Sequence, residues 1–391
     1  MVTMETADSA LKSFYLDAIM EAIDKKANPL LARIQQTTSN VVGKDVKKLV
    51  KLGVNGGISA GSETGNLPAA STEERIVFTS TLKNLYGTIQ ISDKAIRASA
   101  NNEGAFVNLL NDEMQDLVKS ANLNFGRMLF GNGSAQIGFT SGVVDNTENV
   151  ASMADMTGII EGMYVDFVAT DGATMYARNY KVLSIDRDKK QVTFSGTKPL
   201  SEVLTGPSYI YLHDSKDYEI TGLKAIFQAN TLYGVDRTEK PMLKPYSRNA
   251  IGQISETIIQ TAIDKIEEKS GSKINFIVCS WGVKRALAEH YRSKGIALPS
   301  VTLDGGFNAV SFNGIPVVVD RFCPTQTMYL LNTDDFKLHQ LCDWKWLEGE
   351  DGKVLKQVPG RPVYTATLVK YAELMCERPN GQGVLYGITE A

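Results

Sequence analysis

The chain has 391 residues, of which 43% are hydrophobic and 22% charged, with a formal net charge of -3 and a pI near 5.8. That length predicts two or three domains, and the mildly acidic balance excludes a dedicated nucleic-acid binder, which would be basic. No apolar run approaches the roughly 18 residues of a membrane span, so no membrane partner is expected.

The N-terminus is polar and shows no signal-peptide pattern. The four cysteines (Cys279, Cys323, Cys342, Cys376) have no paired spacing, which predicts reduced thiols in a cytoplasmic setting. The first element is an amphipathic helix, with Leu11, Phe14, Tyr15, Ala18, Ile19, Ala22 and Ile23 at helical spacing and Pro29 ending the run. Leu30, Leu31 and Ile34 extend its apolar face. The arm has too little around it to form a core, so it must pack on the body or on a neighbour. Leu11, Phe14, Ile19 and Ile23 are its candidate contacts.

Residues 44–91 read as a ribbon. Val46, Val50, Leu52 and Val54 suggest one strand, and Arg75 to Ile91 the opposite one. Between them runs a tip of Gly, Ser, Thr and Ala from Asn55 to Thr72. Connections this long are usually functional or mobile. A two-stranded ribbon is not stable alone in water, and its covering surface is expected on another subunit. Gly57, Ser59, Leu67, Pro68 and Arg75 are the candidate contacts there.

Glu103 to Phe130 predicts the organising element, a helix roughly 40 Å long. Phe106, Leu110, Met114, Leu117, Ala121 and Met128 line one side, acidic residues precede basic ones, and Gly131-Asn132-Gly133 supplies a left-handed stop. Such a helix with one apolar stripe serves as a spine for a sheet.

From about 138 to 219 the texture changes to short strands: 164–168, 174–178, 181–185, 191–194 and 208–212. Their spacing predicts a small β-barrel or sandwich, inserted because α/β character resumes after it. The resumed part predicts helices at 251–269 and 281–291, strands at 274–279, 315–319 and 327–331, and a long strand at 364–376. Arg378-Pro379 and a run over 383–388 close the chain.

The chemical motifs return little. Gly57-Ile-Ser-Ala-Gly61 matches a nucleophile elbow, which needs a strand before it and a helix after it. Here Glu63-Thr-Gly-Asn-Leu-Pro68 follows, so the stretch reads as a loop. His339 and Cys342 offer two metal ligands without a second pair, and read instead as strand residues beside Trp344 and Trp346. His213 and His290 have no sequence partners. No phosphate-binding glycine loop occurs. Lys44, Lys47, Lys48 and Lys51 read as solvated lysines on a strand edge. No catalytic, cofactor-binding or metal-ligating residue is assigned, and no cofactor is expected.

The order of elements carries a resemblance. A helical arm, a Gly-tipped ribbon, a helix ending Asn124-Phe-Gly-Arg-Met-Leu-Phe-Gly-Asn-Gly133, an α/β unit and a long strand closing on Arg378-Pro379 together resemble the major capsid protein of tailed bacteriophages. That is the Hong Kong 97-type fold, an α+β fold. The resemblance implies an N-terminal arm at 1–43, an extended loop at 44–91 and a peripheral domain at 92–137 with the spine helix. It further implies a β-rich insertion at 138–220, an axial domain at 221–340 and a return to the peripheral domain at 341–391.

The implied function is structural: a subunit forming hexamers and pentamers of an icosahedral shell around double-stranded DNA, touched only weakly. The implied partners are the chain itself, a separate scaffolding protein, a portal and decoration proteins. The implied location is the virion, after assembly in the bacterial cytoplasm. The family's founding member links subunits through a lysine of the extended loop, whereas no lysine occurs here between Lys51 and Lys83. The alternatives are an encapsulin-type shell with enzyme cargo and, from another class, a cytosolic enzyme using Ser59 or His339 and Cys342.

Overall fold

The computed structural model describes residues 28–53, 55–66, 69, 71–95, 103–145, 149–295, 300–303, 307–349, 352 and 354–391. The expected N-terminal helix, with Leu11, Phe14, Ile19 and Ile23, lies outside the described residues, as do Leu67 and Pro68. The fold is mixed α+β, and the described residues hold three hydrophobic cores.

The largest core lies between the spine helix and a five-stranded sheet. The helix spans Glu103–Phe130, as its periodicity predicts. In the sheet, the long strand Val363–Cys376 is flanked by Phe336–Trp346 on one side and by Lys83–Ser92 on the other, both antiparallel. Gln35–Thr37 adds a parallel strand at the edge. The helix does more than offer one stripe. Over its first described turns Met114 and Val118 face inward, but every residue from Phe125 to Phe130 is buried. Its last turns therefore run inside the core, where each fully buried Phe, Leu or Met contributes about 1.5–3 kcal/mol. Two glycines permit the close approach: a Cβ on Gly87 would stand 3.1 Å from Leu117, and one on Gly126 would overlap the Asn28 side chain. The left-handed residue after the helix is Gly133 (φ 85°), two positions later than a C-cap directly after Phe130 would place it.

The base of the arm belongs to this same core. Leu30, Leu31 and Ile34 are buried there, and Asn28 Nδ2 donates to Asn122 O of the spine at 2.9 Å.

The ribbon corrects two expectations. Its second side is two strands, Glu74–Thr81 and Lys83–Ser92, rather than one. Leu82 N still donates to Lys44 O at 2.8 Å, in register with the first ladder, and from Lys83 the chain pairs with the long strand instead. The parity of the buried positions changes there, from Phe78 and Leu82 to Leu85, Ile89 and Ile91. The covering surface also lies on the same chain: Phe78 packs at 5.5 Å from the Tyr233 ring, and Thr79 N donates to Tyr233 O at 2.9 Å.

The insertion is a closed barrel rather than a sandwich, with strands in the order 191–195, 150–155, 136–145, 208–212, 164–169 and 175–186. The pieces expected at 174–178 and 181–185 form one strand, Met175–Asp186, with left-handed Asn179 inside it. Phe167 fills the centre, edge-on to Phe194 at 5.1 Å and Tyr180 at 5.7 Å.

The third core belongs to a seven-stranded sheet ordered 246–248, 383–386, 327–331, 276–279, 315–319, 307–312 and 300–303. Helices Glu256–Ser270 and Trp281–Ser293 pack on it, capped by the hydroxyls of Ser255 and Ser280. The first helix thus starts at its cap, five residues after the apolar pattern does. Two strand assignments cross the expected boundaries. Gly383–Tyr386 pairs inside the seven-stranded sheet, while Phe336–Trp346 pairs with the long strand. The helix Leu223–Gln228, with Gly222 as its N-cap, is too short to show a period in sequence.

Candidate assembly surface

The ribbon has two unlike faces because side chains alternate along a strand. Its inner face carries Val46, Leu52 and Phe78, all buried. Ion pairs rim this face: Lys48 lies 2.9 Å from Glu377, which Lys337 also approaches at 3.3 Å, and Lys240 pairs with Glu74. Lys48 is therefore a buttress to the body and not one of a set of solvated edge lysines.

The outer face presents Leu49 and Val77, cross-strand partners that are 51% and 50% exposed. Val42 is exposed on the adjoining strand. Arg75 stands opposite Lys51, a like-charge pair that costs stability; Lys51 reaches Glu73 at 3.4 Å, and Arg75 makes no ion pair among the described residues. Apolar residues beside an unpaired arginine have the composition of a contact surface.

At the tip, Gly57 N is held by Asn55 Oδ1 at 2.9 Å, Ile58 is 85% exposed and Ser59 is exposed. No helix follows Ser59; the described residues after it are turn and irregular backbone. The strand–turn–helix setting of a nucleophile elbow is not formed there. His339 lies in the strand Phe336–Trp346, buried, with Nδ1 2.8 Å from Ser39 O; burial holds its imidazole below the usual range. Cys342 is half-buried on the same strand, one β-irregularity further on.

Folding does assemble one cluster invisible to sequence spacing. Asp166, His213 and Asp214 converge at one end of the barrel and are the group of potential metal ligands found among the described residues. The sequence separation of 47 between Asp166 and His213 leaves no local signal of that contact.

A spine helix lying on a long-stranded sheet, a ribbon packed by one face on the body and a separate α/β unit define the Hong Kong 97-type fold of shell-forming proteins. The description "SU10 major capsid protein" matches residues 4–353, and the chain belongs to that family. It is a structural subunit of a phage capsid. Among solved structures, the capsid asymmetric unit of cyanophage A-1(L) is similar over 93% of both chains, with 11% identity and a TM-score of 0.55. A holo-encapsulin complex from Synechococcus elongatus is similar over 93% of this chain and 89% of that one, with 9% identity and a TM-score of 0.49. No curated protein sequence matches the chain.

Proposed function

We propose that the subunit forms hexamers and pentamers of an icosahedral shell that encloses double-stranded DNA, with the outer face of the ribbon as a contact between neighbours. The observation that carries this reading is the division of labour between the ribbon's faces. The inner face is used up on the subunit's own body, while the outer one leaves Leu49, Val77 and Val42 in water beside Arg75. Gly57 and Ser59 at the tip, and the arm residues Leu11, Phe14, Ile19 and Ile23 with Leu67 and Pro68, complete the proposed contacts. In that arrangement the spine helix and five-stranded sheet act as the peripheral domain, and the seven-stranded sheet as the axial domain. Scaffolding, portal and decoration proteins are separate chains, assembly occurs in the host cytoplasm, and the mildly acidic subunit holds DNA only weakly.

Leu49→Asp combined with Val77→Asp tests the proposal. Both positions face water in the subunit, so its melting temperature should move by less than a few degrees. Particle yield, counted by electron microscopy, should collapse. Normal particles from the double variant would refute the ribbon's role. Mass spectrometry of particle contents separates DNA from an enzyme cargo.

A further inference from the structure

One end of the barrel carries a cluster outside the proposed assembly surface. Asp166, on the strand Tyr164–Ala169, is 4% exposed. Its Oδ1 accepts a hydrogen bond from Asn179 N at 2.9 Å, and its Oδ2 accepts one from Asp214 N at 3.2 Å. Both donors are left-handed non-glycine residues, with φ of 61° and 53°. The backbone inside one strand and at one turn is thus bent toward a single carboxylate, a conformation that persists only when its surroundings hold it.

His213 follows the strand Ser208–Leu212 directly and places Nδ1 2.6 Å from Asp166 Oδ1. An ionised carboxylate only accepts hydrogen bonds, so Nδ1 carries the hydrogen. The neutral ring then has a bare lone pair at Nε2. That lone pair stands 3.3 Å from Asp214 Oδ2, a second acceptor. Two acceptors at that distance repel unless a cation lies between them. Arg178 is not that cation, because it pairs with Asp214 through Oδ1 and lies 3.9 Å from Asp166 Oδ2.

We propose that His213 Nε2 and Asp214 Oδ2 ligate a divalent transition-metal ion of the zinc class, with Asp166 as the carboxylate that orients the imidazole. Imidazole and carboxylate are zinc donors, and a ligating histidine usually gives its other N–H to a carboxylate. With bonds of about 2.1 Å, ligand atoms at this separation subtend roughly 104° at the ion, close to tetrahedral. Water completes the coordination shell, since the Asp214 side chain is 63% exposed. The nearby Arg178 charge opposes a second cation, so binding is weaker than at a closed four-ligand site. The ion joins two consecutive residues of the segment leaving the barrel, and Asp166 holds that segment to its strand through the imidazole and Asp214 N. That segment is the one that returns to the body, where Asp217 N donates to Ser134 O at 3.1 Å and Lys83 Nζ to Asp217 O at 3.1 Å.

Equilibrium dialysis of the full-length, chelator-treated chain against Zn²⁺ alone tests the site, with Co²⁺ absorption as a second readout of coordination. One ion per chain is expected. Asp214→Asn and His213→Gln should each weaken binding at least about tenfold, and Asp166→Asn by about 10–100-fold, the usual cost of losing an orienting carboxylate. Asp166→Asn also disturbs two backbone hydrogen bonds, so the exposed Asp214→Asn is the decisive variant. No zinc retained at millimolar concentration overturns the proposal, as does zinc whose affinity Asp214→Asn and His213→Gln leave unchanged. Nitrogen NMR of the imidazole showing a doubly protonated His213 at neutral pH, with no zinc bound, would show that a proton fills the gap instead.

Discussion

Replacing Glu373 with glutamine removes a fully buried ionisable group where the long strand meets Thr221. Glu373 sits on the long strand with 0% exposure. Its Oε1 accepts hydrogen bonds from Thr221 N at 2.7 Å and Leu374 N at 3.1 Å, while Oε2 finds no partner among the described residues. Burial outweighs those bonds and raises the carboxyl from 4.5 to about 7. The folded state therefore holds this proton more tightly than the unfolded chain does. Its contribution is greatest below pH 4.5 and is lost as pH rises through 7; a shift of this size corresponds to about 3 kcal/mol. Glutamine keeps the Oε1 acceptor and never ionises, but its amide N–H groups enter the place of the unpartnered Oε2, costing about 1–3 kcal/mol. At pH 8 the variant should equal or exceed the parent by up to about 2 kcal/mol, and at pH 5 it should be the weaker of the two. Burial pushes Asp320 up to about 6, which adds a slope of the same sign. Burial holds His339 low, which adds the opposite slope. Both residues are present in both proteins, so the difference between the curves isolates Glu373. Urea unfolding of unassembled subunits from pH 5 to 8.5 measures it. Parallel curves would refute the reasoning.

Gly222→Ala should lower subunit stability by about 1–3 kcal/mol, because its Cβ would stand 2.6 Å from Gly131 O and 2.7 Å from Leu129 O, both rigid backbone atoms; an unchanged melting temperature would contradict that packing. Glu219→Ala should cost about 3–5 kcal/mol by stranding buried Arg127. The double change Arg127→Met with Glu219→Leu should restore most of the loss in denaturant titration, since the charge then goes with its partner. Mature particles boiled in detergent should run as monomer near 42.7 kDa, because no lysine amine lies between Lys51 and Lys83; a ladder of heavier species would reveal a different linking pair.

Local pattern made the long elements legible. The spine helix declared itself through unbroken periodicity, and 315–319 and 327–331 through β-branched and apolar runs. What stayed hidden depends on pairing across distance. Leu82 is one more apolar residue in an alternating run, and only the change of partner after it, from residues 45–52 to the long strand, shows that the ladder breaks there. The stretch around His339 and Cys342 reads as strand, but the expected domain boundary after residue 340 cuts it, and its place in the sheet follows only from its partners Cys376 to Leu368. In the candidate contact surface, Arg75 and the tip residues were readable because loops and unpaired charges face water. The inner face of the ribbon was not, since Tyr233 lies 155 residues from Phe78. The Asp166–His213 contact was hidden for the same reason.

The sensitive positions gather where the barrel joins the body, and the topology says why. The barrel has its own core, so its interior neither supports nor needs the spine. Its two ends meet: Glu219 N donates to Gly133 O at 3.3 Å, and Leu212 N to Ala135 O at 3.1 Å. A domain inserted through adjacent ends adds little constraint to its host. Coupling must then come from specific polar contacts at the neck, and these are present. Arg127 of the spine holds Glu219 in a bidentate pair, Lys83 of the sheet reaches Asp217 O, and Glu373 of the long strand takes Thr221 N. Each bond reaches from a different element of the body to one short segment, residues 217–221. Buried charge is costly to hold and costlier to orphan, so this neck sets the barrel's direction at the expense of stability. Held from three elements at once, the barrel keeps one orientation relative to the spine helix and the long strand.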